Sequence, residues 1–175
     1  MLTRARRQSD IEWIQGVLRS ATWNREFDFI VMTGHAFQAL VEDQEIRSAL
    51  SAIRAALSDE GCFAFETRNP HVREWERWAG RYAGKVTDFR GHRVRMDTDI
   101  DAPFDGHVVA FHHVFSCPDW TQDQISHSTL RFVRPEALAR FLDEAGLIIE
   151  AQFGDWDRSP LTDRSPEIIT LARRV

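Results

Sequence analysis

Tyrosine occurs once, methionine three times and cysteine twice in these 175 residues, against 12 Phe and 6 Trp. The two cysteines, Cys62 and Cys117, are far apart and form no CxxC pair, which excludes a disulfide framework and a cysteine-rich zinc module. Both sit in apolar or aromatic stretches and read as buried thiols of a reducing, cytoplasmic compartment. No apolar run approaches the roughly 18 residues a bilayer span needs, and the first residues are charged rather than signal-like, so no membrane association is expected. A basic stripe is also missing: 22 Lys and Arg face 27 Asp and Glu, for a net charge of −5. The one basic cluster, Arg4, Arg6 and Arg7, reads as a solvated helix face, and nucleic acid is not an expected partner.

What is present is a chain of one-domain length, 43% apolar, able to bury roughly two-thirds of the surface its unfolded form exposes. A short helix is expected over Leu2–Gln8, and Ile11–Val17 alternates like a strand. Phe27–Met32 is nearly continuous in apolar residues, the pattern of a strand buried on both faces of a parallel sheet. Ile46, Leu50, Ile53 and Leu57 recur at helical spacing between Glu42 and Leu57, and Asp59-Glu60-Gly61 closes that helix. Cys62–Thr67 reads as a second buried strand. Strand, helix, strand implies a right-handed crossover and an α/β class.

Between residues 84 and 133 the helical period gives way to alternation over Lys85–Arg90, Arg93–Asp101, His107–Phe115 and Ser128–Val133, with Gly91-His92 and Asp105-Gly106 as turns. This predicts an antiparallel insertion within a single 1–175 domain, acting as a lid or substrate platform. Pro135 opens an amphipathic helix through Leu142, with Gly146 after it. Leu147–Phe153 and Ile168–Ala172 read as closing strands, and Asp155-Trp156-Asp157 as a structural turn between them.

Several of these pieces carry a family resemblance. Phe27-Asp28-Phe29-Ile30-Val31-Met32-Thr33-Gly34-His35-Ala36-Phe37-Gln38 resembles the fourth strand and following loop of class I S-adenosylmethionine-dependent methyltransferases. Ser58-Asp59-Glu60-Gly61-Cys62-Phe63-Ala64-Phe65-Glu66-Thr67 resembles the passage into their fifth strand, and the strand ending Ile168–Arg174 their closing hairpin. Met1-Leu2-Thr3-Arg4-Ala5-Arg6-Arg7 is similar to the helix after the second strand. The resemblance implies a truncated Rossmann-like sheet flanked by helices, with the family's first strand, glycine-rich loop and acidic second-strand end expected before residue 1. No GxGxG occurs anywhere in the sequence.

For the cofactor, the resemblance implies contacts from Thr33, Gly34 and Phe37. Apolar contact with the adenine ring from Val17 or Leu18 is the lesser reading of these two residues, which better suit a buried strand end. Losing three charge-assisted hydrogen bonds removes roughly 5 to 9 kcal/mol, against about 8 kcal/mol for a micromolar site. S-adenosylmethionine is therefore expected to bind this chain weakly or not at all.

His35, in the loop at the carboxyl end of a parallel strand, is the candidate general base, with a loop-tying histidine as its plainer role. Arg68 and Asn69 are the candidate contacts to a small-molecule substrate. Trp75-Glu76-Arg77-Trp78 reads as an aromatic helix over the site, and Asp97, Asp99, Asp101 and Asp105 as a solvated acidic ribbon. No metal site is expected, because His112 and His113 point to opposite faces of a strand, and His107 and His113 stand about 20 Å apart along it. Absence of the central first strand leaves the edge at Phe29–Met32 without its family neighbour. Ile11–Val17 or a second copy of the chain is expected to cover it. The functional expectation is methyl transfer to a small molecule if the fold is complete or complemented; the alternative is a non-catalytic remnant serving as an interaction or small-ligand module. An unrelated hydrolase lacks both nucleophile elbow and metal spacing.

Overall fold

The computed structural model describes residues 11–79, 84–88 and 90–175. The expected helix at Leu2–Gln8 lies outside them. Strand β1 (Phe27–Met32) leads through a short 3-10 turn into helix α1 (Asp43–Ala56) and strand β2 (Leu57–Arg68). Glu45 stabilises the start of α1, its carboxylate accepting from the backbone N–H groups of Val41 and Glu42 at 2.9 and 3.0 Å. The stripe Ile46, Leu50 and Ile53 is fully buried. The helix passes directly into β2, so Asp59-Glu60-Gly61 falls inside an irregular strand start rather than a terminating turn. A Cβ on Gly61 would stand 3.0 Å from the Phe27 carbonyl and 2.9 Å from Leu57, which only glycine avoids.

Strands β1 and β2 are parallel, with Phe29 opposite Cys62 and Met32 opposite Phe65. The chain returns later as helix α2 (Pro135–Glu144), strand β7 (Leu147–Phe153) and strand β8 (Glu167–Arg174). Strand β8 pairs antiparallel with both β2 and β7, giving the order β1-β2-β8-β7. Between the halves, β3 (Gly84–Thr87), β4 (Arg93–Ile100), β5 (Val108–Ser116) and β6 (Gln124–Arg131) form an antiparallel meander, the expected insertion. Its last strand starts and ends earlier than the expected Ser128–Val133. Phe132 and Val133 leave it to enter two different cores, because Pro135 at the first helical turn holds Arg134 extended.

The main core stacks α1 and α2 on one face of the first sheet. Phe63, Phe65, Ile30, Met32 and Leu147 meet Leu50, Ile53, Leu138 and Leu142 there, and the Phe63, Phe65 and Phe37 rings lie 4.6 Å apart in sequence. The expected helical flanking is thus one-sided among the described residues, and Phe29 and Val31 on the opposite face are 58% and 51% exposed. A second core joins Trp75, Trp78, Val109, Phe111 and Phe132 beneath the meander. Trp75 belongs to a 3-10 segment, Glu74–Arg77, rather than to the expected α-helix.

The expected strand at Ile11–Val17 does not form. Its residues are irregular, Ile11, Ile14 and Val17 are more than half exposed, and β1 has no neighbour beyond β2 among the described residues. Alternation produces a strand only where an adjacent strand takes up its N–H and C=O groups, and none lies beside this segment. Because the core is one-sided, Leu50→Ala should lower the unfolding free energy by about 2–5 kcal/mol. Phe29→Ala should change it by no more than about 0.5 kcal/mol. Urea denaturation of both variants checks the contrast.

Candidate functional site

The carboxyl ends of β1 and β2 meet the amino end of β8, and three ionisable side chains converge there. After Met32 the chain takes two left-handed residues in succession, Gly34 (φ 69°) and His35 (φ 58°). Left-handed backbone is uncommon for a residue with a side chain, and here it is held by polar contacts. The His35 backbone N–H donates to Glu66 Oε1 at 3.0 Å, and its ring Nε2 lies 3.0 Å from both oxygens of Glu167. The second Glu66 oxygen accepts from the Trp156 indole N–H. Burial alone would raise the Glu66 carboxyl. The indole, the backbone N–H groups of His35 and Gly34 and the field of His35 outweigh it, holding the group below its ordinary 4.5. A carboxylate facing Nε2 takes the ring hydrogen there, which leaves Nδ1 as the acceptor of the neutral ring.

Glu66 and Arg68 are two apart on β2 and share a face, about 6.6 Å along the strand. Arg68 opens into a cavity of about 210 Å³ between the sheet edge and the meander, walled also by Trp78, Met96, Thr98, Phe111 and His113. The Arg68 guanidinium sits 5.2 Å over the Trp78 ring and 3.4 Å from Glu74. Thr98 Oγ1 and His113 Nδ1 are 2.7 Å apart. Among the described residues the buried Trp78 indole N–H has no acceptor. Gln38, 1% exposed, joins the two halves: its amide donates to the Arg131 carbonyl at 3.0 Å, and its oxygen accepts from the Arg68 backbone at 3.1 Å.

The expected site residues therefore separate. Thr33, Gly34 and His35 lie at the sheet edge, and Arg68 lines the adjoining cavity. Phe37 is 1% exposed and stacked on Phe65, so its ring belongs to the core. Asn69 is buried and structural in its contacts: it accepts from His71 N–H and donates to the carbonyls of Thr162 and Ser165, anchoring the loop before β8. Leu18 lines a separate apolar hollow with Trp23, Phe27 and Phe29, and Val17 is exposed beside it; neither meets His35.

Sequence reasoning missed Glu66, Glu167, Trp156 and His113, while Trp78 stands over the cavity as the aromatic tract implied. An acidic residue closing the otherwise apolar run Cys62–Phe65 was the one available signal. Asp155-Trp156-Asp157 is a turn, as expected, and it also delivers the indole to Glu66. His112 and His113 do point to opposite faces, but His112 pairs directly with His127 on β6, and Asp101 lies between them at 2.5 and 3.4 Å. In the acidic ribbon, Asp97 pairs with Arg95 and Asp101 with these two imidazoles.

No family model and no curated protein matches this chain at significance. Solved structures do. The CcbJ methyltransferase from Streptomyces caelestis matches at TM-score 0.73 and 15% identity, over 93% of this chain and 67% of its own. A S-adenosylmethionine-dependent methyltransferase from Clostridium acetobutylicum matches at 0.75 and 14%, over 99% and 68%. The sugar N-methyltransferase KedS8 from Streptoalloteichus matches at 0.72 and 17%, over 99% and 67%. The fold is that of class I S-adenosylmethionine-dependent methyltransferases, and this chain spans about two-thirds of the length of these neighbours. Its structure is mixed α/β with two sheets, the antiparallel meander lying between β2 and α2 in the chain.

That fold implies S-adenosylmethionine, and the residues present fit one side of it. Open space in front of Gly34, where a Cβ would meet nothing within 4 Å, suits close approach of a ligand to the β1 loop. No GxGxG motif occurs in the sequence to hold the amino-acid end.

The Glu66 cluster sets an acid limb. Its folded pKa lies below the unfolded one, so the stability it contributes is complete above about pH 4.5 and is lost as pH falls through the lower folded value. Trp156→Phe should raise the Glu66 pKa in a carbon-detected NMR titration, and Glu66→Gln should flatten unfolding free energy against pH below about 4.5. An unchanged profile in both variants would break the assignment.

Proposed function

We propose that this chain is the acceptor-binding part of a small-molecule methyltransferase whose cofactor site is completed by further polypeptide at the β1 edge. The observation that carries the proposal is the His35–Glu167 pair at the sheet edge, next to the cavity that holds Arg68, Trp78 and His113. When bound, S-adenosylmethionine supplies an electrophilic methyl group. The chain's own residues do the rest: Glu167 orients the His35 ring so that Nδ1 receives a proton from the acceptor's nucleophilic group, while Thr33 and Gly34 border the reacting centre. Arg68 and the Trp78 indole N–H offer donors to a polar acceptor, and the His113 ring faces the same space. Neighbours described as a sugar N-methyltransferase, an amino pentose methyltransferase and a glycopeptide N-methyltransferase support a polar acceptor of modest size. Both cysteines are unbridged, in keeping with a cytoplasmic setting.

The exposed β1 edge favours a second reading, a non-catalytic interaction or small-ligand module of the same fold. Amide shifts in the presence of S-adenosylhomocysteine separate the two. The proposal expects perturbation of Thr33–His35 and Glu66 at millimolar ligand, with a dissociation constant in that range. No perturbation favours the module, and submillimolar affinity would show that the chain suffices alone.

A second copy is the proposed cover for the β1 edge in solution. Among the described residues no strand pairs with its outer edge, and with the exposed Phe29 and Val31 it forms a template for strand addition. Light scattering should show a concentration-dependent dimer that Val31→Lys converts to monomer. A wild-type chain that is monomeric throughout would exclude the pairing.

A further inference from the structure

Two turns meet at the end of the platform opposite Asp101. Asp88 and His92 flank the turn from β3 to β4, while Cys117 and Asp119 follow β5. The Asp88 carboxylate is fixed by its own loop: one oxygen accepts from the backbone N–H groups of Arg90 and His92 at 2.8 and 2.9 Å. The other lies 3.2 Å from His92 Nδ1. That contact places the ring hydrogen on Nδ1 and leaves the Nε2 lone pair for another partner, the arrangement a carboxylate gives to a metal-ligating histidine.

Nε2 faces Asp119 Oδ2 at 3.9 Å, Cys117 Sγ stands 4.0 Å from the same oxygen, and the three ligand atoms all lie within 4.8 Å of one another. A directly hydrogen-bonded N···O pair closes to roughly 2.7–3.2 Å. Tetrahedral zinc, with bonds of about 2.0–2.3 Å, separates its ligands by roughly 3.3–3.6 Å. The 3.9 and 4.0 Å separations exceed that by a few tenths of an ångström, the Cys117 thiol donating to Asp119 in the free site, and the imidazole and thiol, within 4.8 Å of each other, have to draw together around an ion. Cys117 is 7% exposed, while the Asp119 side chain is 62% exposed and opens one side to water.

We propose that His92 Nε2, Cys117 Sγ and the Asp119 carboxylate bind one Zn²⁺, with Asp88 behind the histidine and water as fourth ligand. The ion would tie the β3–β4 turn to the connection after β5 and stiffen that end of the platform. A thiolate with an imidazole and one carboxylate selects zinc over the oxygen-seeking magnesium and calcium. Binding releases the Cys117 thiol proton to solvent as the sulfur–zinc bond forms. Asp101, His112 and His127 make a different arrangement, closed by their own hydrogen bonds, with no sulfur and with no carboxylate behind either ring among the described residues.

The test is titration of the full reduced, metal-free chain with Co²⁺, followed by competition with Zn²⁺. The expected result is one Co²⁺ per chain with a thiolate-to-cobalt charge-transfer band, displaced by stoichiometric Zn²⁺. Cys117→Ser should abolish the band, and Asp88→Asn should weaken zinc binding about 10- to 100-fold. The His112→Ala/His127→Ala double variant should retain both signals. Because a change at buried Cys117 can unfold the chain, His92→Ala provides the second arm, with at least tenfold weaker zinc binding and unaltered circular dichroism. A wild-type chain without the band, a band that survives Cys117→Ser, or wild-type affinity in His92→Ala would each overturn the site.

Discussion

Strand β2 is hydrogen-bonded along both edges, parallel to β1 and antiparallel to β8, and the carboxyl-edge cluster depends on that double pairing. One of its faces carries Phe63 and Phe65 into the helical core, and the other brings Glu66 and Arg68 to the ligand side. Because side chains alternate along a strand, burying the two phenylalanines determines where the carboxylate and the guanidinium emerge. Glu167 arrives beside them through β8, whose register sets Arg68 opposite Glu167.

The meander is coupled to this edge through a small number of buried polar contacts. Gln38 satisfies the Arg131 carbonyl and the Arg68 backbone at once, so the β1 loop is tied to the end of β2 and the end of β6. Trp75, Trp78, Phe111 and Phe132 fill the space behind it. The cavity at Arg68 is therefore framed on both sides by packed structure, the condition under which a few polar groups can orient a ligand.

The opposite side of the sheet is built differently. Among the described residues β1 ends the sheet with exposed Phe29 and Val31, and the helices cover only the other face. The apolar hollow lined by Leu18, Trp23, Phe27 and Phe29 lies on this side as well, away from the polar cluster at the carboxyl edge.

Local pattern alone determined the parallel pair, both long helices and most of the antiparallel insertion, because apolar periodicity reports which face of an element is buried. It also placed His35 at a strand's carboxyl end. It misjudged Ile11–Val17, because a strand exists only with a partner and periodicity carries no information about partners. The bonds from Glu167 and Trp156, the Arg68 cavity, the meeting of His112 with His127 and that of His92 with Cys117 were decided by tertiary structure. Each joins residues of different strands or turns, and cross-strand register arises from the simultaneous packing of all the elements rather than from any one segment.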